Sequence, residues 1–392
     1  MKIRIAITSL ALALATTGAG ARDITSILSE IEKGNLELQT LRLSNRAEDL
    51  ETRSANTPEP PSVEYSPFFH RGASGVASSE LVVSQEFDFP TLYSARGRSA
   101  RLQAEVMEAG YLAARRDILL SAKEICLDIV MLDEQIGLAE SRLDIARQLE
   151  QLTQRRLDAG ETTAIEMNRV MIEKNDLQTE LIQYRADREA LAGRLAALNG
   201  GNAIDIGELA YTEEALPSDS DALSALLLDG DASVKSAETT LAAMRQEVKV
   251  ARQGWIPKLT VGYRRNTDGS EASNGFLVGA SFPIYSTGKK VKAAAVRQAA
   301  AQLDLENSRV ALRSEAEALF GELRLIRQSL DIYDPALMQE SLELLRKSVD
   351  IGNMTVTDYY TEADRVYQKK NSFITLRNRY QRLLARIHRN AL

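Results

Sequence analysis

Two stretches of this chain are read together: MLDEQIGLAESRLDIARQLEQLTQRRLDAGETTAIE, residues 131–166, and LRLIRQSLDIYDPALMQESLELLRKSVDIGNMTVTD, residues 323–358. In the first, Met131, Leu138, Ile145, Leu152 and Ala159 recur every seven residues. In the second, Leu323, Leu330, Leu337, Leu344 and Ile351 do the same, each displaced by 192 positions. A seven-residue apolar period marks a helix that packs lengthwise on a neighbour. Both stripes run into an Asp-x-Gly step, ending at Gly160 and Gly352, and Gly just past an apolar run is a common helix stop. An acidic residue follows six positions later in each copy, Glu166 and Asp358. The chain therefore carries a duplicated, long helical hairpin.

Working outward, the same order appears on both sides of a polar segment, 200–221. Residues 22–199 form the first repeat. Short helices over 25–56, with Thr25 and Asn35 as N-caps, are ended by Pro58, Pro60 and Pro61. Alternation then places Val63, Tyr65 and Phe69 on one face of a strand over 62–69, and Leu81, Val83, Phe87 and Phe89 on one face of a second over 81–89. Helical pattern follows from 93 to 199, turning at Gly160. Its first helix, Tyr93 to Ala159, would be ~100 Å long at 1.5 Å per residue, more than a globular core can use. Residues 222–392 repeat this: a helix over 222–253, strands over 258–265 and 276–282, and a helical hairpin over 289–390. Pro90 and Pro283 stand in corresponding places where strand gives way to helix. Pro335 predicts a bend or a split in the second long helix.

Composition narrows the class. Residues 1–21 read as a secretory signal: Lys2 and Arg4, the apolar run Ile5 to Ala15, and the small-residue step Ala19-Gly20-Ala21. The net charge of −7, which becomes −9 without the two cations of that segment, argues against nucleic acid as a partner. Cys126 is the one cysteine, so no intrachain disulfide forms; its apolar neighbours predict a buried thiol. His70 and His388 have no zinc-ligand spacing. Met167 and Met171 share a helix face; thioethers suit soft cations, although packing explains them better. Phosphate-binding glycine loops and nucleophile motifs are missing. The chain reads as a non-enzyme without cofactor or resident metal.

The strands carry the next step. Each approaches the ~9–11 residues that cross a bilayer when tilted, with one apolar and one polar face. Four strands open in lipid would leave two edges of unpaired backbone groups, each costing several kcal/mol. They must close with strands of other copies, and a trimer gives twelve. Val63, Val83, Val261 and Val278 are then the lipid-facing positions. The competing class is a soluble periplasmic coiled-coil adaptor or scaffold carrying a small antiparallel sheet.

With its duplicated order of helix, strand hairpin and helix pair, its SQEFDFP segment at 84–90 echoed by GASFP at 279–283, and its Gly160 and Gly352 turns, the chain resembles the TolC-type outer-membrane efflux proteins over nearly all of its mature length. The resemblance implies a mainly α fold with a membrane β-barrel. It further implies a homotrimer whose 12-stranded barrel sits in outer-membrane lipid and whose helical tunnel extends into the periplasm. A periplasmic adaptor (membrane fusion protein) and an inner-membrane efflux pump are the implied partners, and small solutes the cargo. The Gln-x-Phe-Asp-Phe-Pro segment looks most like the heavy-metal-cation branch. By the Gly352 register, Asp358 falls where the family places an aspartate ring at the periplasmic mouth, making it the pore-gate residue with Glu166 as its repeat mate. The tip Tyr and Arg of better-studied members are replaced here by Val349 and Met354, which implies a different closure.

Overall fold

The computed structural model describes residues 23–70, 72, 74–212, 219–228, 230–283 and 287–392. The signal segment and Pro217-Ser218 of the polar linker lie outside the described residues. Contacts divide the chain into two units, the described parts of 1–34, 121–214 and 329–382, and those of 35–120, 215–328 and 383–392. No described helix is long and apolar enough to cross a membrane.

The second unit contains the sheet. β1 (Ser62–Phe69), β2 (Val76–Phe87), β3 (Lys258–Asp268) and β4 (Glu271–Ser281) run in the order β1-β2-β3-β4, every pair antiparallel. β2 starts at Val76 rather than Leu81, because Ser78, Ser79 and Glu80 join the ladder without the alternation that marks the rest. β4 likewise starts five residues ahead of Phe276. Register decides the faces. Val63 opposes Val83, Val83 opposes Tyr263, and Tyr263 opposes Phe276; Val261 opposes Val278 and Gln85. Opposed residues share a face, so Val63, Val83, Val261 and Val278 belong to one largely apolar face, interrupted by Gln85, Arg265 and Asn274. The other carries Ser62, Glu64, Glu80, Ser84, Glu86 and Arg264, with Arg264 Nε 2.8 Å from Glu80 Oε1. Gly262 allows the strands to close: a Cβ there would lie 2.6 Å from the carbonyl oxygen of Val83.

Around the sheet's helical end, α2 (Leu36–Ser54) is capped by Asn35, whose side chain accepts from Leu38 N at 2.9 Å. Asn56 and Gln246 donate to the backbone carbonyls of Tyr93 (3.1 Å) and Ala95 (3.0 Å). The single helix expected over 222–253 is two, α5 (Ser220–Leu228) and α6 (Ala232–Gln253). Asp231 causes the second start: its carboxylate accepts from Ser233 N and Val234 N. The same carboxylate receives Arg116 at 2.9 Å and Arg389 at 3.4 Å, so the charge is buried but paired.

The first unit is a helical bundle. α1 (Ile24–Gly34) buries Ile27 and Ile31 completely; its start is held by Asp23, which accepts from Thr25 N at 3.2 Å, so Asp23 and not Thr25 is the cap. α3 (Pro90–Asp158) and α4 (Ala164–Leu198) form the first hairpin. α7 (Thr287–Ile332), α8 (Pro335–Asp350) and α9 (Val356–Ile387) form the second; α3 up to residue 120 and α7 up to residue 328 fall in the second unit. Pro335 splits the long helix because Asp334 caps a fresh start, accepting from Ala336 N and Leu337 N at 3.0 Å each. Cys126 is fully buried, and burial pushes its thiol up to about 12.

In α8 the seven-residue stripe and the buried seam are different faces. Leu337, Leu344 and Ile351 are 59%, 56% and 70% exposed, whereas Met338, Leu342 and Val349 are buried. The seam that α8 turns inward thus lies beside the seven-residue stripe. In the first repeat Leu138, Ile145 and Leu152 pack partly buried against the core of the hairpin tips.

Candidate functional site: the hairpin tips and the sheet face

The two tips are built alike. At Gly160 the backbone has φ +75°, and at Gly352 φ +78°, a left-handed conformation that costs a side-chain-bearing residue roughly 1–2 kcal/mol. Glu161 N reaches back to Arg156 O (2.8 Å) and Gly160 N to Leu157 O (3.0 Å). In the second copy Asn353 N bonds Ser348 O (2.9 Å) and Gly352 N bonds Val349 O (3.1 Å). This paired closure satisfies carbonyls at a helix end. Each following helix opens on a threonine: Thr163 Oγ1 accepts from Glu166 N at 3.3 Å, and Thr355 Oγ1 from Asp358 N at 3.1 Å. The Thr-x-x-acid spacing at 163–166 and 355–358 is an N-cap signal legible in the sequence.

The two acids are used differently. Asp358 is exposed; its Oδ2 accepts the Thr355 hydroxyl at 2.7 Å, which orients the carboxylate and leaves its charge facing outward. Glu166 is half-buried. It accepts the Thr162 hydroxyl and, across the hairpins, Val356 N at 3.2 Å. Its negative charge therefore sits at the positive N-terminal end of α9. Arg156 complements it, donating to Val349 O at 3.2 Å, at the negative end of α8. The first hairpin thereby satisfies both helix ends of the second. Val349 is fully buried and Met354 packs against the same core: closure at these positions is apolar.

Beneath the tips, Leu149, Val170, Leu342, Val349, Val356, Tyr359, Ala363 and Tyr367 form the core. A polar belt follows along the bundle. Arg142 lies 3.4 Å from both Glu180 and Asp364, with its guanidinium 4.6 Å from the Tyr367 ring centroid. Arg382 bonds Asp128 at 2.9 Å and Glu124 at 2.8 Å. None of these belt positions was singled out in the sequence, because their partners lie far along the chain, Glu180 on the other arm of the same hairpin and the rest in the other repeat.

The remaining positions fall as follows. Pro90 is the first residue of α3, where a missing N–H costs nothing. Pro283 follows β4, and its carbonyl accepts from the Thr287 hydroxyl at 3.0 Å. Val63 and Val278 are 67% and 80% exposed, and Val83 and Val261 are also open. Met171 is exposed and so does not pack as expected. Among the described residues no group of three or more His, Cys, Asp or Glu side chains is placed to hold a metal ion.

The chain thus joins a four-stranded antiparallel sheet with an open apolar face to duplicated helical hairpins. The model of the outer membrane efflux protein family matches residues 27–201 and 223–390, and the chain belongs to that family. It is 28% identical over 289 residues to the pyoverdine export outer membrane protein OpmQ of Pseudomonas aeruginosa, a match covering 70% of this chain and 60% of that protein. The chain thus spans 60% of the length of that curated relative. Its fold is similar to the Campylobacter jejuni CmeC outer membrane channel, with TM-score 0.74 and 16% identity over 100% of this chain and 93% of that one. The outer membrane protein VceC of Vibrio cholerae is also similar, with TM-score 0.72 and 16% identity over 94% and 95%.

Proposed function

We propose that the protein is the outer-membrane exit duct of a tripartite efflux system. In this reading it is a homotrimer that passes small solutes handed over by a periplasmic adaptor and an inner-membrane pump, and it catalyses no reaction. The observation that carries this reading is the sheet: β1 and β4 stand at its two edges beside an exposed apolar face that includes Phe276, 92% exposed. Such edges are intolerable in lipid unless closed, and three copies supply the twelve strands of a barrel. Exposed Phe87, Phe89, Trp255 and Phe282, at the ends of the strands that adjoin helices, suit the aromatic girdle of a membrane barrel. The exposed Leu337, Leu344 and Ile351 stripe supplies a seam for a neighbouring copy.

The gate of this duct is the Asp358 ring. Three carboxylates about a threefold axis concentrate negative potential at a constriction, favouring cations over anions. Glu166 serves the tip differently, as the anion that fixes α9 against the first hairpin. Fractionation tests the reading: the protein is expected in outer-membrane detergent extracts as a heat-resistant trimer that forms conducting channels in planar bilayers. A soluble monomer would replace it with the coiled-coil adaptor reading. For cargo, the name of the Pseudomonas relative favours a siderophore-sized organic solute, while the Gln85–Pro90 segment favours heavy-metal cations. A deletion strain challenged with zinc, cobalt, cadmium and copper salts, with a drug panel, and assayed for siderophore secretion separates the two. Sensitivity to metals alone supports the cation branch; a secretion defect alone discards it.

A further inference from the structure

Within the helical bundle, α3, α4 and α9 enclose a cavity of about 20 Å³ lined by Arg142, Glu173, Tyr359, Tyr360, Asp364 and Tyr367 together with Ile145, Leu177 and Ala363. We propose that this cavity binds a single water molecule, held by the Tyr360 hydroxyl from α9 and the Glu173 carboxyl group from α4, and that this water joins the second hairpin to the first.

Three observations support the site. The volume exceeds the ~10–15 Å³ that one water requires and leaves no room for a larger ligand. The hydroxyl of Tyr360 is sealed from bulk solvent without a protein hydrogen-bond partner, whereas Tyr359 pairs with Tyr367. A buried hydroxyl left unbonded costs ~1–3 kcal/mol, and such a residue in the wall of a water-sized hole is the pattern that a buried water relieves. The chemistry is matched on the opposite wall. Arg142 is turned to Glu180, Asp364 and the Tyr367 ring, so the cation leaves Glu173 available as an acceptor. Burial raises Tyr359 and Tyr360 well above the usual phenol range, so both remain neutral donors. An empty cavity of this size is expected only where the lining is apolar.

The site is distinct from the Asp358 carboxylate and stands without the channel reading, since it concerns packing inside one protomer. A crystal structure of the full chain resolving ordered solvent tests it. The expected result is density for one water within hydrogen-bonding distance of both Tyr360 Oη and a Glu173 carboxylate oxygen. In Tyr360→Phe the water should be lost. In Glu173→Gln it should remain, since the amide still offers an acceptor. A dry cavity in the parent, a direct Tyr360–Glu173 hydrogen bond that fills it, or a water that persists unchanged in Tyr360→Phe would each overturn the proposal.

Discussion

At the scale of single residues, Asp358 and Glu166 show how alike two acids can look in sequence and how differently packing uses them. Both occupy the third position of a helix that opens on threonine. Only Glu166 reaches across 190 positions to a backbone amide of the other hairpin, and no local pattern announces such a contact. Two predictions follow from this division. In planar bilayers Asp358→Asn should lower cation selectivity with little change in volume. Glu166→Gln keeps an acceptor for Val356 N but removes the charge, so it should loosen the tip by about 0.3–1 kcal/mol, the range for an anion at a helix N-terminus, and should alter selectivity less. Unchanged selectivity in Asp358→Asn would reduce that carboxylate to an ordinary helix-start acid. A further prediction concerns Glu173, whose pKa is raised above the ordinary 4.5, chiefly by burial and also by Asp176 and Asp364, against the lowering influence of Arg169 and Arg142. The folded bundle therefore binds this proton more tightly than the unfolded chain. The resulting stability is full below the ordinary value and is lost as pH rises through the folded one. Glu173→Gln should thus melt above the parent at pH 7, and the gap should close toward pH 4. A gap independent of pH would show that the carboxyl's charge is irrelevant there.

At the scale of elements, the alternation over 62–69 and 258–265 was legible because a strand with one wet and one apolar face writes its period into the sequence. The opening of β2 was not: Ser78, Ser79 and Glu80 take their place through pairing with Asp268, Thr267 and Asn266, which a single strand's sequence does not reveal. The split between α5 and α6 was obscured for a similar reason, since Asp231 reads equally as a mid-helix acid or as a cap. The heptad stripe gave the existence of the hairpins but not the inward face of α8, which lies beside it. Period alone does not say which neighbour a helix packs on, and Met338, Leu342 and Val349 are inward because the first hairpin and α9 lie there. For the sheet, arginine at Val261 or Val278 should impair assembly, because a cation near the bilayer midplane costs ~2–4 kcal/mol in a barrel; leucine should be tolerated. Normal yields of heat-resistant oligomer from both arginine variants would reverse the assignment of faces.

At the scale of the whole molecule, duplication decides what a single copy can do. Two strand hairpins and two helical hairpins make one sheet with both edges open and helices with apolar stripes left uncovered, so completion is deferred to assembly. Disrupting the Leu337, Leu344 and Ile351 stripe with Leu344→Glu should lower trimer yield while the monomer's helical content, read by circular dichroism, stays unchanged. Loss of helicity instead would show that the stripe stabilises the protomer itself. The lone thiol has a practical consequence for all of these tests. With its thiol pushed up to about 12 by burial and no exposed surface, Cys126 is protonated at pH 7, and the thiolate is the reactive form. Maleimide dyes and nitroxide labels should therefore leave the native chain untouched. Any cysteine introduced at residue 358 becomes the only one they report, and in the proposed trimer the distances between tips can be followed without first removing a residue from the core.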